Sequence, residues 1–226
     1  MAKHSKRYRN DAKKIKTDIP LSVADAVEQL KKLDSAKFNQ SVEIAMRLGI
    51  DAKQADQLVR GSIVLPHGIG KTLRICVIAK GDKAEEAKAA GADTVGDAEL
   101  VAQIKEGWTE FDVCIATPDM MGLVGPLGKV LGPRGLMPSP RAGTVTMDIT
   151  KTVTEYKAGK VEFRNDKAGI VQANVGKIRF EKQQIVENVE AFIQHVQQLK
   201  PAAVKGTYVK SVTISATMSP GVKVIC

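Results

Sequence analysis

At 226 residues, with 43% hydrophobic and 26% charged side chains, the chain has the composition of a folded protein with one large domain or two modest ones. No apolar run approaches the ~20 residues of a membrane span, and the basic start lacks the apolar stretch of a secretory signal, so a soluble cytoplasmic protein is expected. A net charge of +9 and a pI of about 9.4 suit a polyanionic partner, while 4% aromatic content argues against a surface built from many stacked bases.

The chain opens with a cationic block. Lys3, Lys6, Arg7, Arg9, Lys13, Lys14 and Lys16 stand against a single Asp11, a +6 tail over residues 1–16. Such a block repels itself and is expected to be disordered until an anionic partner orders it. After Pro20, Ser22 followed by Asp25 predicts a helix N-cap, and Val23, Val27 and Leu30 carry an apolar stripe to Leu33. The period then changes to two. Val42, Ile44, Met46 and Leu48 alternate with Glu43, Ala45 and Arg47, which predicts a strand buried on one face. Gly61–Pro66 reads as a second short strand.

From Gly68 the pattern is different. Thr72–Ala79 is an almost continuous apolar run, as in sheets covered on both faces. Helical stretches at Asp82–Ala90 and Ala98–Lys105 flank Asp93–Val95, and Asp112–Ala116 is another apolar strand. This alternation predicts βαβ units on a parallel sheet. Residues 121–143 are rich in Gly and Pro, and a third helix is expected near Ile149–Ala158.

The last third returns to the first pattern. Lys160–Arg164 and Ile170–Val175 read as strands joined by an Asn165–Gly169 turn. Ile185, Val189, Phe192, Val196 and Leu199 give a long amphipathic helix that Pro201 stops. Val209–Met218 is predicted as a strand in which Val212, Ile214, Ala216 and Met218 alternate with Ser211, Thr213, Ser215 and Thr217.

Charge divides along the same lines. Of 34 Lys/Arg and 25 Asp/Glu, residues 68–159 hold 11 and 12, which leaves 23 and 13 on the two chain ends. The excess therefore lies outside the middle third, as expected if the ends build one nucleic-acid domain (1–67 with 160–226) and 68–159 is inserted into it. The expected fold is a split α+β domain with an inserted three-layer, Rossmann-like α/β domain. The hydroxyls of the last strand, if they face outward, suit the shallow minor groove of RNA, with cations around them on phosphates. A strand that is merely solvated would show the same pattern.

Motifs for other chemistry fail. Gly70-Lys71-Thr72 resembles a phosphate-loop fragment, but Leu65 stands where the leading glycine is needed and a strand follows, not a helix. His4, His67 and His195 are scattered, with no metal-ligand spacing. Cys76, Cys114 and Cys226 form no C-x-x-C pair; the first two sit in apolar runs and read as core residues of a reduced protein. No enzyme, metal or cofactor is expected.

The run Leu131-Gly132-Pro133-Arg134-Gly135-Leu136-Met137-Pro138 resembles the signature of the large-subunit ribosomal protein L-one family. Phe163-Arg164-Asn165-Asp166-Lys167 does so too, with Ala36-Lys37-Phe38, Leu48-Gly49-Ile50-Asp51, Val59-Arg60-Gly61, Leu65-Pro66-His67-Gly68 and Lys205-Gly206. The resemblance spans nearly the whole chain in order. It implies a two-domain protein bound to large-subunit rRNA at the mobile stalk beside the exit site, assisting release of deacylated tRNA. It also implies repression of the protein's own operon mRNA, and a single copy within the ribosome. By the same resemblance the RNA surface comprises Lys37, Phe38, Ser41, Asp166, Lys167, Gly169, Ser211, Thr217, Met218 and Ser219. By parity with Val42 and Ile44, Phe38 would instead be a core residue. At 219 the family usually has glycine; the serine would either crowd the RNA backbone or add a hydrogen bond. The competing reading is an RNA- or DNA-binding regulator outside the ribosome.

Overall fold

A computed structural model of the chain describes residues 4–15, 19–33 and 36–225; Lys3, Lys16 and Cys226 lie outside them. The chain forms two compact units, residues 1–70 with 161–226, and residues 71–160.

The split unit is built on an antiparallel sheet of order β7-β1-β8-β9, from Ile170–Lys177, Ser41–Leu48, Val209–Ala216 and Val222–Val224. Period-two alternation decides its faces. Val42, Ile44, Met46 and Leu48 of β1, with Val171, Ala173 and Val175 of β7 and Val212, Ile214 and Ala216 of β8, are buried. Helices α2 (Val23–Lys32) and α8 (Lys182–Gln198) cover that side. Ser22 caps α2 by accepting from the Asp25 amide, and Glu181 and Gln184 form a capping box on α8. A two-stranded sheet pairs β2 (Arg60–Val64) with β6 (Lys160–Arg164). Its Phe163 meets Phe192 of α8 edge-on, with ring centroids 5.2 Å apart.

The predicted last strand is shorter than its alternation suggests. β8 stops at Ala216; Thr217, Met218 and Ser219 form a turn that leads into β9, which the sequence pattern did not reveal. The Ser219 amide donates to the Ala216 carbonyl at 3.0 Å and so closes that turn. The cationic tail also departs from expectation, because Lys6–Lys14 is a helix, α1. Ser5 caps it by accepting from the Tyr8 amide at 3.2 Å, and Asp11 and Ile15 are buried on its inner side. Self-repulsion is outweighed where one helical face has something to pack on.

The unit 71–160 holds a parallel sheet of order β4-β3-β5, from Thr94–Gly96, Ile75–Ile78 and Val113–Ala116. Both of its faces are covered. Cys76, Ile78, Cys114 and Ala116 pack with Leu100 and Ile104 of α4 (Ala98–Lys105), Val124 of α5 (Met121–Val124) and Leu131 of α6 (Gly128–Arg134). On the other side Ile75, Val77 and Ile115 pack with Ala87 of α3 (Asp82–Ala89) and Ile149, Val153 and Tyr156 of α7 (Ile149–Ala158). β3 begins only at Ile75, three residues later than the apolar run. Asp112 accepts from the Arg74 amide and Asp93 from the Ile75 amide, so carboxylates replace the strand ladder there.

Candidate nucleic-acid interface

The open face of the split unit's sheet is mostly polar, interrupted by Ala45 and Ile170. The register sets Glu43 between Asn174 and Ser215, Ala45 between Gln172 and Thr213, and Arg47 between Ile170 and Ser211, with Lys223 beyond Thr213. Glu43, Arg47, Gln172, Ser211 and Lys223 are exposed, and Thr213 and Ser215 half-buried. Hydroxyls, amides and a few charges therefore line one continuous surface. Glu43, Arg47, Gln172 and Lys223 were not singled out from the sequence. Their parity was legible, but which strands flank β1 was not.

The ten residues singled out from the sequence fall into two groups at opposite ends of β1. At the Ser41 end are Lys37, Phe38, Ser41, Thr217, Met218 and Ser219. At the Leu48 end are Asp166, Lys167, Gly169 and Ser211. Arg47 lies six residue steps beyond Ser41, so the groups stand about 20 Å apart along the strand.

At the first end the Thr217 hydroxyl is tied into the fold. Its Oγ1 accepts from the Ser41 amide at 3.1 Å, while the Thr217 amide donates to the Ser41 carbonyl at 3.1 Å. The Met218 amide donates to Gln40 Oε1 at 2.9 Å, and Lys177 Nζ donates to Ser41 Oγ at 2.8 Å. The turn and the segment entering β1 are thus locked together through residue pairs 176 and 178 chain positions apart. Phe38 is 50% exposed and Met218 46%, so parity with Val42 does not bury Phe38. Ser219 turns its hydroxyl inward, accepting from the Ala216 amide at 2.8 Å. Its side chain serves the turn.

At the second end Asp166 Oδ1 accepts from both the Ala168 and Ile170 amides at 2.8 Å, an Asx-type closure of the turn. Gly169 has φ +74°, and a Cβ there would sit 3.2 Å from Ile50 Cγ1 and 3.4 Å from the Leu48 carbonyl. Glycine is needed for both conformation and space. The Gly169 carbonyl accepts from the Leu48 amide at 2.9 Å and so fixes the turn to β1, leaving Lys167 exposed at its tip.

Ribosomal protein L1p/L10e family sequences match residues 30–220 of the 226. The chain belongs to that family. It is a family of structural, non-enzymatic proteins of the ribosome that bind rRNA. The matched span contains both ends of the polar face and the whole of 71–160, and leaves out α1.

Among the described residues no group of three His, Cys, Asp or Glu is placed to hold a metal ion. Lys71 of the phosphate-loop fragment donates to Asp112 at 2.8 Å, and that bond, with Arg74 beside it, holds the Asp112 carboxyl below its usual range. Cys76 and Cys114 face each other across β3 and β5, and the Cys114 thiol is pushed far up by its bond to Cys76 and by burial. Such a thiol is inert as a nucleophile. No described helix is long and apolar enough to cross a membrane.

Proposed function

We propose that the chain is a cytoplasmic structural component of the large ribosomal subunit whose split α+β domain binds rRNA of the mobile stalk beside the exit site. On this reading 71–160 is an inserted three-layer, Rossmann-like domain. The protein sits there as a single copy without cofactor, assists release of deacylated tRNA, and represses translation of its own operon mRNA by the same surface. RNA lies along the open face of β7-β1-β8-β9 and is gripped at both ends. Phe38 and Met218 offer apolar contact at one end, with Lys37 and Lys177 on phosphates. Ser211 and Lys167 meet the backbone at the other, beside the Asp166–Gly169 turn that presents them.

The observation that carries this reading is the two anchored groups at either end of one polar sheet face, on the unit that holds the excess charge. Hydroxyls and amides on a flat surface match the 2′-hydroxyls and base edges of an RNA minor groove better than the deep major groove of DNA. Sucrose-gradient fractionation of cells tests it. Co-sedimentation with large subunits is expected; a free pool alone would favour the regulator outside the ribosome.

A further inference from the structure

Helix α1 lies outside the span that matches the family, yet it docks on the candidate interface. Arg7 Nη2 donates to the Met218 carbonyl at 3.2 Å, at the turn that presents Met218. Behind it Asp11 and Ile15 are buried, and Tyr8 stacks on His4 with ring centroids 4.5 Å apart. The opposite face is cationic. Lys6, Arg9 and Lys13, at positions i, i+3 and i+7, are exposed along one side of the helix, with Asn10 between them. None of the three forms an ion pair among the described residues, whereas Lys14 is taken by Asp11 at 3.3 Å. Arg7 is bound by a neutral carbonyl, so its charge is not cancelled either.

We infer that α1 is a preformed phosphate-binding arm of the RNA interface, in which Lys6, Arg9 and Lys13 track the backbone of an RNA duplex running past the Met218 turn. The inference rests on the RNA-binding reading above. Three cations over seven residues of helix span about 10 Å, enough to follow successive phosphates along one strand. A cationic segment already helical and docked does not spend binding free energy on ordering, as a disordered tail would. Its contacts reach phosphates only, so it adds affinity to any duplex and discriminates between none.

The test is a salt series of binding to two probes, a transcribed stalk rRNA fragment and an unrelated RNA duplex. Three full-length proteins are compared: the unaltered chain, Lys6→Gln/Arg9→Gln/Lys13→Gln, and Lys80→Gln/Lys88→Gln/Lys105→Gln. The third loses the same charge from exposed positions of the other unit. Gln is a good helix former, and circular dichroism checks that α1 persists. The α1 variant is expected to weaken both probes alike by roughly tenfold or more and to flatten the slope of log K against log salt by roughly 2–3. The Lys80/Lys88/Lys105 variant should leave the slope nearly unchanged. An unaltered slope in the α1 variant, or equal flattening in both variants, would overturn the arm. If the unaltered chain shows no preference for stalk rRNA, the ribosomal reading fails, while flattening by the α1 variant alone would still support the arm.

Discussion

The two units use β-sheet in opposite ways. The sheet of 71–160 is parallel and covered on both faces, so Ile75, Cys76, Val77 and Ile78 in succession are all fully buried. The sheet of the split unit is antiparallel, buried under α2 and α8 on one side and open on the other, where its strands alternate. Charge follows the same division. Residues 71–160 carry 12 Lys/Arg and 12 Asp/Glu, whereas the rest of the chain carries 22 and 13. A sheet with no open face and no net charge has little to offer an RNA. One with both fits the proposed RNA surface, on which hydroxyls would specify and cations attract.

The largest effects should come from breaking one unit at a time. Phe192 is fully buried beneath the split unit's sheet, and Leu131 fully buried in the other unit. Phe192→Ala is expected to cost about 3–5 kcal/mol and Leu131→Ala about 2–5 kcal/mol, from lost burial plus the cavity left. Denaturant unfolding measures both. RNA affinity should collapse only with Phe192→Ala, since the proposed surface lies on its unit; loss with Leu131→Ala instead would tie recognition to 71–160.

Thr217 sharpens the comparison within the split unit. Thr217→Val leaves the Ser41 amide without its side-chain acceptor in an exposed junction, at a cost of up to about 1.5 kcal/mol. The loss should appear both in stability and in RNA binding, and should persist at high salt because no phosphate charge is involved. Thr217→Ser restores the bond and should recover both. A valine variant that binds and unfolds like the unaltered protein would reduce this junction to a solvated turn.

A smaller effect, of opposite sign, is expected at Tyr208, where β8 begins. Its hydroxyl is buried with no hydrogen-bond partner among the described residues, and burial pushes its pKa up to about 12. Tyr208→Phe should therefore stabilise the protein by about 1 kcal/mol in the same unfolding assay. The smallest effect belongs to 71–160. Lys71 and then Arg74 hold the Asp112 carboxyl below its ordinary 3.8, so the folded state favours the ionised form. That contribution is present above pH 3.8 and lost as acid carries the pH down through the lowered value. Asp112→Asn should cost less than about 1 kcal/mol near neutral pH, as a partly exposed pair. It should also flatten the acid side of the stability curve.

Much of this was legible in the sequence, for identifiable reasons. Ala98–Lys105 carries its own helical period, and the buried face of β1 follows from Val42, Ile44, Met46 and Leu48 alone. Where tertiary context decides, pattern failed. The alternation of Ser211–Met218 runs two residues past the end of β8, because the turn is closed by Ser219 and Gln40, side chains whose role needs the neighbouring strand. The helix at Lys6–Lys14 was hidden by its charge, although Ser5 and the Tyr8–Asp11–Ile15 spacing were present to be read. At the interface the candidate residues came from resemblance, while their division into two ends of one strand, and the polar rows between, came only with the register.

On the proposed reading the open sheet of the positively charged split unit is the RNA surface, and 71–160 is dispensable for holding rRNA. The direct measurement is the affinity of a stalk rRNA fragment for a chain joining 1–70 to 161–226, for 71–160 alone, and for the full protein, each checked for folding by circular dichroism. The joined ends should bind nearly as tightly as the whole and 71–160 only weakly; comparable affinity for 71–160 alone, with the joined ends folded and inert, would contradict the account.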